Sequence, residues 1–197
     1  MALFCGIDEA GRGALAGPVA AAAVILPPDF PIHILDDSKK MSPKKRFAAE
    51  TIIKESACWG VGFASHTEID EINILQATLL AMKRAFENMQ TMLNDWTVQH
   101  ELMEHEITTM TDGIFTPDIA CAGASKVLCA PKADSLYPAV MAASILAKTA
   151  RDRLMIELAP VYPDYGYAEH KGYPTPEHKK ICRRIGVSPI QRLSFRY

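Results

Sequence analysis

The first apolar run of the chain ends on two adjacent carboxylates. Leu3 to Asp8 has the composition of a short buried strand, and Asp8 and Glu9 close it just before a loop of small residues, Gly11-Arg12-Gly13-Ala14-Leu15-Ala16-Gly17. A second apolar run, Val19 to Leu26, follows the loop as another strand. Neighbouring carboxylates at a buried strand end are costly, because burial penalises the ionised forms and like charges repel. A divalent cation removes both costs. Hard ions such as Mg²⁺ take oxygen ligands and keep several waters, so a few carboxylates converging from different elements suffice. Asp112 and Asp134 are further candidates, since each lies at an element end beside small residues. Spacing alone leaves two readings open: a shared cation site, or four unconnected surface acids.

The remaining pattern alternates strands with helices. Ser42-Pro43 supplies an N-cap and a proline at the first helical position for a helix over Lys44 to Glu55. Trp59 to Ala64 reads as a third strand. Ile72 to Met92 carries Ile72, Leu75, Leu79, Met82, Phe86 and Met89 at helical spacing, which predicts a long amphipathic helix packed on a core. Ile107 to Thr111 and Lys126 to Ala130 read as two more strands. Pro138 to Leu158 is an alanine-rich helix with Ala142, Ala143, Ile145, Leu146, Leu154 and Leu158 facing inward. The mixed order predicts an α/β domain, and a length of 197 residues predicts one domain spanning 1–197.

Charge and cysteines narrow the function classes. Residues 1–125 hold 9 Lys/Arg against 17 Asp/Glu, whereas 126–197 hold 12 against 6. An acidic cluster and a basic segment in one fold suit a divalent ion at one place and phosphate at another, although an uneven solvated surface gives the same count. From about residue 160 onward, basic side chains alternate with aromatics, including Tyr162, Tyr165, Tyr167, Lys171, Tyr173, Arg183 and Arg184, a mixture suited to phosphates and sugar or base faces. The five cysteines, Cys5, Cys58, Cys121, Cys129 and Cys182, form no Cys-x-x-Cys pair and read as reduced, mostly buried thiols. The N-terminus lacks the basic region of a secretory signal, and the Ala14 to Pro28 apolar stretch is shorter than the ~20 residues of a membrane helix, so a cytoplasmic protein is expected.

Two competing motifs need weighing. Gly11-x-Gly13-x-x-Ala16 fits the dinucleotide-binding pattern, with Asp36 and Asp37 at a suitable distance, which makes a dinucleotide-dependent oxidoreductase the runner-up. That pattern requires a helix directly after the glycines, where Gly17-Pro18-Val19 instead opens a strand-like run. The stretch His100-Glu101-Leu102-Met103-Glu104-His105 places His and Glu at helical spacing, but it lacks the His-Glu-x-x-His order and reads as a solvated face.

Taken together, these segments resemble bacterial ribonuclease HII, the type 2 ribonuclease H. The matching residues are Gly6-Ile7-Asp8-Glu9-Ala10-Gly11-Arg12-Gly13, Ala16-Gly17-Pro18-Val19, Asp37-Ser38-Lys39-Lys40, Ile69 to Leu75, Asp112-Gly113, Lys132-Ala133-Asp134-Ser135, Ala142 to Lys148, and His170-Lys171-Gly172-Tyr173-Pro174-Thr175. The resemblance implies an RNase H-like fold, a central mixed five-stranded sheet flanked by helices with a helical C-terminal segment, in which the first and fourth strands are neighbours. It implies that Asp8, Glu9, Asp112 and Asp134 hold two Mg²⁺ or Mn²⁺ ions, with Asp8 bridging. It implies an endonuclease acting on RNA-DNA hybrids and on duplex DNA containing single ribonucleotides; a monomer is the default expectation. The backbone of Gly11, Arg12 and Gly13 would approach the ribose 2′-hydroxyl, Tyr173 would pack on the next sugar, and Lys39, Lys40, Lys148, Lys171 and Arg192 would contact phosphates. A non-catalytic nucleic-acid-binding module is the third reading.

The chain also departs from that family pattern. Ala14 replaces a proline after Gly-Arg-Gly, Ile114 stands where asparagine commonly follows Asp-Gly, and the strand before Asp112 is rich in threonine. Asn94 to Glu106 reads as an insertion.

Overall fold

The computed structural model describes residues 2–102, 106–120 and 122–196. Cys121 and the Met103-Glu104-His105 part of the His/Glu stretch lie outside the described residues. Five strands form one sheet: β1 (Leu3–Ala10), β2 (Val19–Ile25), β3 (Cys58–Ala64), β4 (Ile107–Asp112) and β5 (Lys126–Ala130), in the order β3-β2-β1-β4-β5. β1, β2 and β3 pair antiparallel, whereas β4 lies parallel to β1 and β5 parallel to β4. The sheet is therefore mixed and five-stranded, as the family resemblance implies.

Side-chain alternation divides this sheet into two cores. Cys5 and Ile7 of β1 and Ala21 and Ala23 of β2 face a helix α2 (His66–Gln99), whose Ala81, Met82, Ala85, Phe86 and Met89 fill that side. Ala22 and Val24 face the other side, against α1 (Pro43–Ser56) and α3 (Pro138–Leu158). Glycines permit the close approach of these layers. A Cβ on Gly6 would lie 2.2 Å from the Ala139 carbonyl carbon, and Cβ atoms on Gly60 and Gly62 would strike the α2 backbone. Gly6 has no left-handed φ, so its requirement is space, not conformation.

The long helix differs from the expected one in two ways. It begins earlier, at His66, where Ser65 and Glu68 form a capping box, and it breaks at Asn73, which adopts φ 67° and accepts from the Leu75 and Gln76 N–H groups. Ile72, expected on the apolar stripe, precedes the break and is exposed. The helix also ends later, because Leu93, Trp96 and Thr97 continue the buried face; the Trp96 indole donates to the Ser56 carbonyl at 2.9 Å. The start of the polar Asn94 to Glu106 stretch, as far as Gln99, is thus helix. After α3 the chain forms two short helices, α4 (Tyr167–His170) and α5 (Pro176–Ile185). Cys5, Cys58 and Cys182 are buried and Cys129 is half-buried. Among the described residues no helix is long and apolar enough to cross a membrane.

Gly6→Ala therefore forces α3 away from β1 and should cost about 1–3 kcal/mol or more in urea unfolding. A change below about 0.5 kcal/mol would mean that the helix does not lie on this strand as described.

Candidate active site

β1 and β4 bring the first carboxylates together. Ile7 is registered with Thr111, so the following residues, Asp8 and Asp112, come side by side where the β1–β4 pairing stops. Asp8 shares the α3 face with Gly6 and is only 5% exposed. Its Oδ1 accepts from the Glu9 N–H at 2.7 Å. Burial first, and then the charge of Glu9, push the Asp8 carboxyl well above its ordinary range; a hydrogen bond from Ser144 of α3 pulls the other way, and Asp112 adds to the repulsion. Glu9 is likewise raised by burial, against the opposing charge of Arg12, whose guanidinium lies 3.6 Å away. Asp112 accepts from the Ala133 N–H at 2.7 Å, which ties β4 to the turn Ala133–Ser135 carrying Asp134. Burial and then the charge of Asp112 raise Asp134, while Lys39 opposes them.

Four carboxylates from β1, β4 and the turn after β5 thus act electrostatically on one another. Among the described residues, however, no three His, Cys, Asp or Glu groups converge closely enough to form a ready metal cage. Like charges repel, and Asp8 and Asp112 each turn an oxygen onto a backbone N–H. The all-oxygen, partly buried donor set has the chemistry of a hard-cation site, and closing it requires a cation to offset the repulsion.

Beside the carboxylates lies a cleft of about 540 Å³ lined by Glu9, Gly11, Arg12, Gly13, Ser38, Lys39, Arg46, Lys148 and Tyr173. An adjoining recess of about 530 Å³ shares Arg46, Lys148 and Tyr173 and adds Lys171. A larger cavity of about 640 Å³, mostly apolar, opens elsewhere around Trp59, Phe63 and Leu154, and none of the four carboxylates lines it. Lys148 sits 5.4 Å from the Tyr173 ring centre and pairs with Asp152 at 2.7 Å. Lys40 is exposed and pairs with Asp37 at 3.3 Å, outside the cleft. The Lys171 ammonium donates to the Ala168 carbonyl. The backbone around Tyr173 is held by a stacked histidine pair, 4.3 Å apart: His170 Nδ1 accepts from the Gly172 N–H at 3.1 Å, and His178 Nδ1 lies 3.0 Å from the Tyr173 carbonyl.

Arg192 requires a correction. Expected at the surface as a phosphate contact, it is 0% exposed, and its guanidinium donates to the carbonyls of Gly17, Arg12 and Pro18 at 2.9–3.0 Å. It has no donor facing a phosphate. The glycine loop is also followed by β2 and not by a helix, so the dinucleotide pattern lacks the helix N-terminus that would hold a pyrophosphate. Three neighbours of the site carried no role in the sequence reading: Ser144, Ser38, whose hydroxyl lies 2.9 Å from that of Ser144, and Arg151. Ser144 and Arg151 are seven residues apart and share one face of α3 with buried Ala147 and Met155. Polar groups on an otherwise apolar helical stripe were their available signal.

A family model described as Ribonuclease HII matches residues 5–197. The chain is 52% identical over 195 residues to a Ribonuclease HII of Treponema denticola, with 98% of each chain covered. It is 45% identical over 196 residues to a Ribonuclease HII of Polynucleobacter asymbioticus, covering 99% of this chain and 93% of the relative. Among solved structures, ribonuclease H2 from Pyrococcus horikoshii superposes with a TM-score of 0.71 at 25% identity, covering 98% of this chain and 93% of that one. The ribonuclease of a PCNA:RNase HII complex from Archaeoglobus fulgidus gives 0.71 at 23% identity, covering 99% and 96%, and shares the fold.

Raised folded-state values mean that the ionised Asp8–Glu9 pair costs stability at neutral pH, and that this cost shrinks as pH falls through them. In metal-free buffer at pH 7.5, Asp8→Asn should raise Tm by a few degrees, given about 2–4 °C per kcal/mol for a chain of this size. The difference should narrow on acidification. A lower Tm for Asp8→Asn at pH 7.5 would contradict this electrostatic picture.

Proposed function

This chain belongs to the ribonuclease HII family and is an endonuclease, and from that premise we propose that it hydrolyses the RNA strand of RNA-DNA hybrids. We propose further that it incises duplex DNA on the 5′ side of single embedded ribonucleotides, leaving 5′-phosphate and 3′-hydroxyl ends. Residues 1–197 would act as one catalytic domain, with the basic, aromatic segment from about residue 160 forming one wall of the substrate site. The observation that carries this reading is the single cleft beside Asp8, in which Glu9 and the Gly11–Gly13 loop face Lys39, Lys148 and Tyr173.

Asp8, Glu9, Asp112 and Asp134 would hold two divalent ions, Mg²⁺ or Mn²⁺. The fit rests on donor chemistry: four carboxylates, the innermost buried, whose mutual repulsion a cation relieves. Bound ions of this kind supply activation of a water molecule and neutralisation of the charge that builds on the phosphate and the leaving oxygen.

The chain's own groups bind and orient the substrate. Gly13 has no protein atom within 4 Å of where a Cβ would stand, and its φ is not left-handed, so the space it leaves open faces the cleft. That opening supports an approach of the loop backbone to a ribose 2′-hydroxyl, the group that distinguishes RNA from DNA. Tyr173, held over Lys148 and Arg151, would pack on the adjoining sugar. Lys39 and Lys148 would meet phosphates in the cleft, and Lys171 would do so in the adjoining recess. Arg12 lies close enough to Glu9 to hold that carboxylate in place while presenting its backbone to the ligand.

The test is incision of duplex DNA carrying one ribonucleotide, with Mg²⁺ or Mn²⁺. Wild type should cut, and Asp8→Asn should lose on the order of 10³-fold or more in turnover. Binding without incision would favour a non-catalytic module, and tight NAD binding would revive the dinucleotide reading. Tyr173→Ala should impair cutting at the ribonucleotide junction by about 10- to 100-fold while leaving the metal concentration for half-maximal activity unchanged. Lost metal affinity with normal junction cutting would refute the role given to Tyr173.

A further inference from the structure

Arg151 and Arg192 are the largest side chains fully enclosed in the described structure, each 0% exposed. Among the described residues neither forms an ion pair with a carboxylate. A cation enclosed without an anion is costly, and an apolar residue of similar volume would fill the same space without that cost. The two guanidiniums are instead satisfied by main-chain dipoles. Arg151 donates to the carbonyls of Pro18 at 2.9 Å, Lys171 at 3.0 Å and Ala16 at 3.1 Å. Arg192 donates to Gly17 at 2.9 Å, Arg12 at 3.0 Å and Pro18 at 3.0 Å.

These acceptors belong to two segments that each contribute to the cleft lining, one through Gly11, Arg12 and Gly13 and the other through Tyr173. Arg12, Ala16, Gly17 and Pro18 lie on the glycine loop, and Lys171 lies two residues before Tyr173. Both guanidiniums meet at the Pro18 carbonyl. The same segments touch directly: the Leu15 N–H donates to the Gly172 carbonyl at 2.8 Å, and the Arg192 N–H to the Leu15 carbonyl at 2.8 Å. The Arg151 guanidinium also lies 5.1 Å from the centre of the Tyr173 ring. Gly11 is part of this arrangement, because a Cβ there would lie 2.0 Å from Arg151 Nε. Its missing side chain makes room for the arginine, whereas that of Gly13 leaves open space.

We infer that Arg151 and Arg192 are positioning residues for ribose recognition: Arg151 ties the Gly11–Pro18 loop to the segment carrying Tyr173, and Arg192 braces that loop from within. The distance between the backbone that reads a 2′-hydroxyl and the ring that packs on the neighbouring sugar is then set by the planar Arg151 guanidinium, acting on a loop that Arg192 holds in shape. A planar fork with five donors does this, and an ammonium on a flexible stem does not, so Arg→Lys keeps the charge and loses the spacing. The inference rests on the ribonuclease reading above and extends it to residues that touch no substrate.

A double-mutant cycle tests it. Arg151→Lys, Tyr173→Ala and the double variant are compared with wild type on a duplex containing one ribonucleotide, with kcat, KM and the Mn²⁺ activation midpoint measured separately. Arg151→Lys should lower kcat by about 10- to 100-fold with an unchanged Mn²⁺ midpoint. In the Tyr173→Ala background the same substitution should cost less than about threefold, because the part it positions is already absent. Independent, multiplying losses would mean a general structural defect and would overturn the inference, as would full activity in Arg151→Lys. If Arg151→Lys does not fold, Arg192→Lys is carried through the same cycle. If neither folds, the arginines serve the fold and the positioning role is refuted. Failure of the wild type to incise this duplex would instead count against the ribonuclease reading itself.

Discussion

The parallel pairing of β1 with β4 is the constraint on which the site depends. Its register sets Ile7 against Thr111 and so delivers Asp8 and Asp112 side by side where the pairing of the two strands stops. Alternation along β1 then sends Cys5 and Ile7 toward α2, and Gly6 and Asp8 toward α3. A slip of one residue would exchange these faces and press Asp8 into the apolar layer around Phe86 and Met89. Because the apolar residues of β1 must face that layer, the hydrophobic core itself holds the carboxylate at the site. Gly6 completes the arrangement by letting α3 lie directly on the strand, which brings the Ser144 hydroxyl within reach of Asp8.

The charge imbalance along the chain acquires a structural meaning. Glu9 and the glycine loop come from the acidic part, Lys148 and Tyr173 from the basic part, and they line one cleft. Ion pairs help fasten these parts together, among them Arg153 with Glu50 at 2.8 Å and Arg46 with Asp152 at 3.8 Å. Two buried arginines also do so through backbone carbonyls, which leaves Lys39 and Lys148 at the cleft wall. The same economy appears at Tyr173, where two histidines fix the backbone while cations support the ring.

Much of this architecture was legible in the chain. Strand positions followed from short apolar runs bounded by glycine, proline and polar residues, and α3 matched its expected limits because Pro138 opens it and its apolar spacing continues to Leu158. The limits of α2 were harder to read. Asn73 interrupts the helix through its own side-chain bonds to the following N–H groups, while Trp96 extends the helix because a distant carbonyl, that of Ser56, accepts its indole N–H. At the site, the carboxylates stood out as an expensive local pattern. Arg192 did not, since a basic residue near the C-terminus gives no local sign of being enclosed by carbonyls more than 170 positions away. The difference between Gly11 and Gly13 was hidden for the same reason, as only tertiary contact puts an arginine beside one and open space beside the other.

The central claim is that Asp8, Glu9, Asp112 and Asp134, which repel one another without a cation, close around divalent ions. Anomalous X-ray scattering from crystals soaked in Mn²⁺ tests this most directly. The account predicts Mn²⁺ peaks bounded by oxygens of these four carboxylates, and their loss from Asp8→Asn crystals. Mn²⁺ bound elsewhere in catalytically active crystals, or peaks that survive Asp8→Asn unchanged, would contradict it.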